Sequence, residues 1–183
     1  EGNAVSNTYT LGYSFGSGVT IPGTGIILNN QMNNFAYQYG TPGVVDRSAS
    51  EGNKFEPGKR PMSTMTPVIV FDKENALKLI SGSPGGALIP AAVLRLVTGV
   101  IDFNLNLGEA TMLPRIHKDW PYAYTRTERG MSADTLKILK GYGHEIEKSK
   151  TMGSTQSIMI TQNGVEGFAD LRRPNAGVSI QVD

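Results

Sequence analysis

The sequence predicts an α+β protein built from stacked sheet and helix layers around one core. Three observations carry that expectation. Strand-like segments lie towards both ends of the 183 residues, a nearly unbroken apolar run occupies Ala87 to Phe103, and a turn of Ser, Gly and Pro (Ser81 to Gly86) leads into that run. The length allows one well-filled core, and two domains would be a squeeze.

Taken in order, Ala4 to Leu11 is rich in Val, Thr and Tyr and roughly alternates, which predicts a strand. Glycine-rich punctuation follows, and Ile26-Ile27-Leu28 reads as a short buried strand. From Asn29 to Arg60 no period is visible, and irregular stretches of that length in compact domains are often functional. Its amide-rich opening, Asn29 to Asn34, suits either ligand orientation or turn formation. Met65 to Asp72 and Ala76 to Ser81 predict paired strands joined at Lys73-Glu74-Asn75. The Ala87 to Phe103 run predicts a helix buried on more than one face, with Pro90 tolerated in its first turn. Leu107 to Met112 predicts a second helix capped by Asn106 and ending before Pro114. A third helix, Ala133 to Lys140, is capped by Ser132, turns Leu136 and Leu139 inward, and ends at Gly141 or Gly143. Glu145 to Glu147, Gln156 to Thr161 and Gly167 to Asp170 complete the strands.

Composition narrows the function. Lys and Arg number 17 against 16 Asp and Glu, with no basic block, which argues against a nucleic-acid or membrane surface. The absence of cysteine excludes disulfides, thiolate metal sites and a Cys nucleophile. Two histidines, His117 and His144, argue against a multi-histidine metal site, so no metal or cofactor is expected. No apolar run has transmembrane length and no signal peptide opens the chain.

The turn before the long helix carries the chemistry. Gly85 and Gly86 lack a β-carbon, so the chain can turn sharply and bring N–H groups close to another atom. The helix start adds unpaired donors and partial positive charge. Such a place holds a negative oxygen, either a phosphate or the oxyanion of acyl transfer. A phosphate loop would continue with Gly-Lys-Ser/Thr, whereas here Ala87-Leu88-Ile89 follows, so an oxyanion hole is the better reading.

Five ordered blocks then resemble one family. They are Asn29-Asn30-Gln31-Met32, Gly58 to Pro67 (GKRPMSTMTP), Gly82-Ser83-Pro84-Gly85-Gly86, Glu109-Ala110 with Pro114-Arg115, and Met152 to Ser157 (MGSTQS). Together they are similar to the small subunit of the γ-glutamyltranspeptidase family. The resemblance implies an N-terminal-nucleophile hydrolase fold, a four-layer αββα sandwich, with a large subunit cut from the same precursor as partner. It also implies a small-molecule amide substrate. The small subunit of the family begins with a threonine that is nucleophile and, through its amine, base. Glu1-Gly2-Asn3-Ala4-Val5 resembles the strand after that residue, so the nucleophile is expected upstream of Glu1. Family habit puts such proteins in the bacterial periplasm or exterior, with cytoplasmic relatives also known.

Site roles follow position by position. Thr10 matches a threonine that hydrogen-bonds the nucleophile, and Gly85 and Gly86 match the oxyanion pair. Ser63 and Thr64 match hydroxyls that hold the substrate α-carboxylate, the second usually being serine. Gln31 matches a residue that orients the α-amino group. Two positions depart: Gly12 stands where Asn or Glu is usual, and Asn34 where Asp is usual. With no carboxylate left there, an amide substrate bearing a carboxylate but no α-amine (oxamate- or glutaryl-like) is the first expectation, and true γ-glutamyl transfer the second. An inert assembly subunit and a plain anion-binding module are the remaining readings. The retained Gly pair, Thr10 and hydroxyl pair weigh against the former, and the missing Lys against the latter. His117 reads as structural, His144 as exposed, and Trp120 with Tyr122 and Tyr124 as packing.

Overall fold

The computed structural model describes residues 2–36, 51–119, 122–179 and 181. The chain forms two compact units, Glu1–Thr8 with Thr64–Asp183, and Tyr9–Ser63.

The larger unit is built on an antiparallel sheet in the order β1-β2-β6-β7. Strands β1 (Val68–Phe71) and β2 (Leu77–Gly82) are joined by a turn in which the Asp72 carboxylate accepts from the Glu74 and Ala76 N–H groups at 3.0 and 2.8 Å. Asn75 takes φ 62° there, a conformation that Asn tolerates better than most residues. Pro67 cannot donate to a ladder, and β1 starts directly after it, three residues later than the alternation from Met65 predicts. Strands β6 (Gln156–Thr161) and β7 (Gly164–Ala169) form a two-residue hairpin.

Val70, Leu79 and Met159 share one face of this sheet and pack against two helices, α1 (Ile89–Ile101) and α2 (Leu107–Met112). Leu79, Leu96, Val100, Leu107, Ala110 and Met159 form the core, each large side chain contributing about 1.5–3 kcal/mol by burial. A β-carbon on Gly99 would lie 3.0 Å from the Ala110 Cβ, so the glycine lets α1 and α2 approach closely. On α2, Asn106 Oδ1 accepts from the Glu109 N–H and the Glu109 carboxylate accepts from the Asn106 N–H, a reciprocal cap on a six-residue helix.

The opposite face of the sheet is also apolar. Ile69, Ile80 and Ile158 form a cross-strand row, and Ile160 pairs with Val165 beside it. Ile69, Ile158 and Val165 remain exposed on that face.

A second sheet has the order β3-β4-β5. Strands β3 (Ile116–His117) and β4 (Tyr124–Thr127) are antiparallel, and β4 runs parallel to β5 (Glu145–Lys148) through the crossover helix α3 (Ala133–Gly141). Parallel neighbours need such a crossover. The Ser132 side chain caps α3 by accepting from the Thr135 N–H, and Leu136 and Leu139 are its half-buried residues on the predicted face.

Four expectations need correction. Residues 4–11 form no strand: the segment has no ladder partner among the described residues, and Val5 and Tyr9 are 81% and 87% exposed. Ile26–Leu28 is not a buried strand either. Ile27 makes a single bridge to Thr20, while Ile26 and Leu28 are exposed. Helix α1 is buried along one stripe (Ile89, Ala92, Val93, Leu96, Gly99, Val100), and Leu94 is 63% exposed on its far side. His144 is half-buried, its Nδ1 3.1 Å from Thr125 Oγ1.

The smaller unit is held by turns. Phe35 and Ala36 are buried, Ala36 bridges to Lys54, and Phe35 meets Phe55 edge to face at 5.3 Å. Within the irregular stretch, 3₁₀ turns occupy Gln31–Asn34 and Glu51–Asn53, and residues 37–50 lie outside the described residues. Tyr122 and Tyr124 stack at 5.5 Å, while Trp120 also lies outside the described residues.

Candidate active site

Strand β2 ends at Gly82, and the chain turns through Ser83-Pro84-Gly85 into a 3₁₀ turn at Gly86–Leu88 that runs on into α1. Gly85 adopts φ 142° and Gly86 φ 58°, both in the region that favours glycine. Among the described residues, neither the Gly85 nor the Gly86 N–H has an acceptor. Two donors without an acceptor among the described residues therefore lie at the head of a helix, where partial positive charge favours a negative oxygen.

A second loop, Met152 to Thr155, closes on this turn. A β-carbon at Gly85 would stand 3.2 Å from Gly153 Cα, and one at Gly153 would stand 2.7 Å from Ser83 Oγ. Ser83 Oγ accepts from the Ser154 N–H at 2.9 Å and donates to the Pro84 carbonyl at 2.7 Å.

That loop is in turn fastened to a buried ion network. The Arg115 guanidinium donates to the Met152 carbonyl at 2.6 Å, to Thr155 Oγ1 at 3.2 Å and to the Asp170 carboxylate at 2.7 Å. Asp170 also accepts from the Thr155 N–H, and Glu128 accepts from the Met152 and Arg115 N–H groups. Arg172 joins both acids, reaching Glu128 at 2.8 Å and Asp170 at 3.2 Å. Burial raises the Asp170 pKa, but the N–H groups of Arg172 and Thr155 and the Arg115 charge outweigh it and hold the carboxyl below its ordinary value. Arg115 is pulled down from the usual arginine value by burial and by the neighbouring Arg172 charge, against the pull of Asp170. Sequence reasoning flags Arg115 only as part of a block and misses Ser83, Glu128, Asp170 and Arg172 as partners. Their one signal is charge or a hydroxyl inside otherwise strand-like or turn-like segments.

Thr64, also in the larger unit, is half-buried, and its carbonyl accepts from Thr66 Oγ1 at 2.9 Å. The remaining predicted residues belong to the smaller unit. Thr10 Oγ1 accepts from the Gly12 N–H at 2.9 Å, which leaves its own hydrogen free to be donated. Gly12 has φ 92°, and a β-carbon there would fall 2.0 Å from Asn30 Oδ1. That oxygen accepts from the Tyr13 N–H at 3.0 Å, so a side chain at Gly12 would displace this contact as well as strain the backbone. In the sequence, Asn30 stands out only as a member of the amide-rich block. Gln31 and Asn34 are brought together, Asn34 Nδ2 donating to Gln31 Oε1 and to the Met62 carbonyl, both at 3.2 Å. The Asn34 side-chain oxygen thus remains available as an acceptor. Ser63, next to Met62 at the end of this unit, is exposed.

Residues 1–180 match the family model described as Gamma-glutamyltranspeptidase. The chain belongs to the γ-glutamyltranspeptidase family. A relative from Escherichia coli strain K12, named glutathione hydrolase proenzyme, is 44% identical over 94% of this chain, which spans 30% of that relative. A glutathione hydrolase proenzyme from Bacillus subtilis strain 168 is 38% identical over 99% of the chain, again spanning only 29% of the relative. Among solved structures, a γ-glutamyltranspeptidase mutant from Helicobacter pylori is 39% identical with TM-score 0.85, covering 94% of this chain and 95% of its own. A cephalosporin acylase from Bacillus halodurans is 26% identical with TM-score 0.77, over 92% of this chain and 30% of its own. The fold is therefore the α+β fold of N-terminal-nucleophile hydrolases, and the chain spans about 30% of the curated γ-glutamyltranspeptidase relatives it matches.

Proposed function

We propose that this chain is the small subunit of a self-cleaving amide hydrolase and acyltransferase that acts on γ-glutamyl amides. The observation that carries the reading is the pair of N–H groups at Gly85 and Gly86 that find no acceptor among the described residues, at the start of the helix that packs on β2. The likeness to relatives named glutathione hydrolase supports the γ-glutamyl acyl group.

In this reading a threonine upstream of Glu1 supplies the nucleophile. Its hydroxyl oxygen bonds to the amide carbon, its proton passes to its own amine, and the carbonyl electron pair moves onto oxygen between the two glycine N–H groups. Collapse restores the carbonyl and breaks the C–N bond, and the departing amine takes the proton. Water or a second amine then repeats the sequence on the ester. Thr10 donates its free hydrogen towards the nucleophile, Ser63 and Thr64 hold the α-carboxylate, and Gln31 with the Asn34 oxygen receives the α-ammonium.

A large subunit from the same precursor completes the four-layer sandwich. The apolar row Ile69, Ile80 and Ile158 supports it, because a sheet that is apolar on both faces needs a layer on each.

A second reading is favoured by Asn34, a neutral amide where a charged partner for an ammonium is usual. An ammonium left unpaired in a buried site costs about 3–5 kcal/mol, which would favour glutaryl- or oxamate-like amides. Amino-terminal sequencing and intact mass of the complete protein, followed by rates on matched γ-glutamyl and glutaryl anilides, test both. A small chain beginning with threonine and a faster γ-glutamyl rate are expected. An uncut precursor overturns the catalytic reading, and a faster glutaryl rate selects the second substrate class.

A further inference from the structure

We propose that Ser83 is a positioning residue whose hydroxyl locks the Pro84–Gly85 peptide in the orientation that presents the Gly85 N–H to the oxyanion. This rests on the amide-hydrolase reading above.

Ser83 is 3% exposed and bonded on both sides. The Ser154 N–H occupies a lone pair of Oγ, and the one hydroxyl hydrogen is committed to the Pro84 carbonyl. In a trans peptide the C=O and N–H of one unit point in opposite directions. Holding the Pro84 oxygen against Ser83 therefore aims the Gly85 N–H the other way, where it meets no acceptor among the described residues.

The plane needs such a hold. Proline fixes its own φ but leaves ψ to rotate, and Gly85, at φ 142°, offers no β-carbon to resist a flip. A flipped peptide would put a carbonyl oxygen where the N–H now stands and repel the developing negative charge. The hold is itself anchored: the loop that donates through Ser154 is tied at Met152 and Thr155 to Arg115 and Asp170. Gly153 lets that loop come so near, since a β-carbon there would stand 3.2 Å from the Pro84 oxygen.

The test uses the complete processed protein with Ser83→Ala, Ser83→Thr and, as a control, Ser157→Ala, which removes the buried Ser81–Ser157 hydroxyl contact of 2.8 Å. On a γ-glutamyl anilide, Ser83→Ala is expected to lower kcat about 10–100-fold with KM within about twofold. Ser83→Thr recovers most of that loss, and Ser157→Ala lowers the melting temperature while keeping kcat. A crystal structure of Ser83→Ala is expected to show the Pro84–Gly85 peptide rotated. Unchanged kcat in Ser83→Ala, or an equal loss in Ser157→Ala at the same melting temperature, overturns the lock. Should Ser83→Ala fail to fold, Ser83→Cys, which weakens both bonds, carries the same expectation, and unchanged kcat in it overturns the proposal. A wild-type protein that cleaves no amide refutes the function instead, and the peptide orientation in Ser83→Ala then decides the lock by itself.

Discussion

Gly85 and Gly153 meet so closely that a β-carbon on the first would stand 3.2 Å from the α-carbon of the second. Two loops far apart in sequence thus touch backbone to backbone behind the candidate oxyanion turn. Gly153 has less room still, since its β-carbon would meet Ser83 Oγ at 2.7 Å and Ala92 Cβ at 3.0 Å, at φ 70°. Gly153→Ala should therefore destabilise the protein by about 1–3 kcal/mol, read as a lowered melting temperature. A melting temperature equal to wild type would show that the two loops separate without cost.

Gly86 behaves differently, because a β-carbon there meets nothing within 4 Å. Its φ of 58° leaves a substituted residue strained by about 1–2 kcal/mol, yet no described residue is displaced by the added side chain's first carbon. Gly86→Val should leave the assembled protein intact on gel filtration and lower turnover by about 10²-fold. Full turnover in that variant would remove Gly86 from the oxyanion site.

Asp170 links stability to acid. Its carboxyl titrates lower in the folded protein than its unfolded value near 3.9, so its contribution is complete above that pH. The contribution is lost as pH falls below it towards the folded value. Asp170→Asn should flatten the fall in stability below about pH 4 and, by leaving Arg115 without its charge partner, cost about 3–5 kcal/mol at pH 7. Urea unfolding at a series of pH values measures both, and an unchanged acid slope would assign that slope to other carboxylates.

A charge at the proposed amino pocket is best introduced at Asn34 alone. Adding a side chain at Gly12, at φ 92°, would strain the backbone and displace Asn30 Oδ1, whereas Asn34→Asp only exchanges a donor for an acceptor beside Gln31 Oε1 and the Met62 carbonyl. Gln31 can turn its amide to donate, and the Met62 oxygen is left facing the new carboxylate. The expected outcome is a higher ratio of γ-glutamyl to glutaryl turnover with a small loss of stability. A constant ratio would mean that the ammonium is received elsewhere.

The elements legible in the sequence are those with local signals. The α2 cap at Asn106, the α3 cap at Ser132, the turn at Lys73-Glu74-Asn75 and strand β6 each announce themselves within a few residues. Strands β3 and β4 do not, because the buried positions of β4 carry Thr125 and Thr127 in place of aliphatic residues and β3 is only two residues long. Residues 4–11 have strand composition without a ladder partner among the described residues, since pairing is a property of the neighbour as well as of the segment. The Gly85–Gly86 turn is readable from its lack of side chains, but the bonds behind it join residues 71 positions apart, from Ser83 to Ser154. The ion network spans 55 positions between Arg115 and Asp170, a separation at which no periodicity operates.

The exposed row of Ile69 and Ile158 bears on how such a protein can be made. A sheet face of this kind, left bare on a free chain, invites association with any apolar surface in reach. Two separately synthesised chains would have to find each other at cellular concentration, with self-association as the competitor. Joined in one precursor, as proposed above, a covering layer would be present at an effective concentration in the millimolar range set by the linking segment. On the proposed reading, cleavage after folding would then cost the assembly little, because the face would already be covered when the connection is cut.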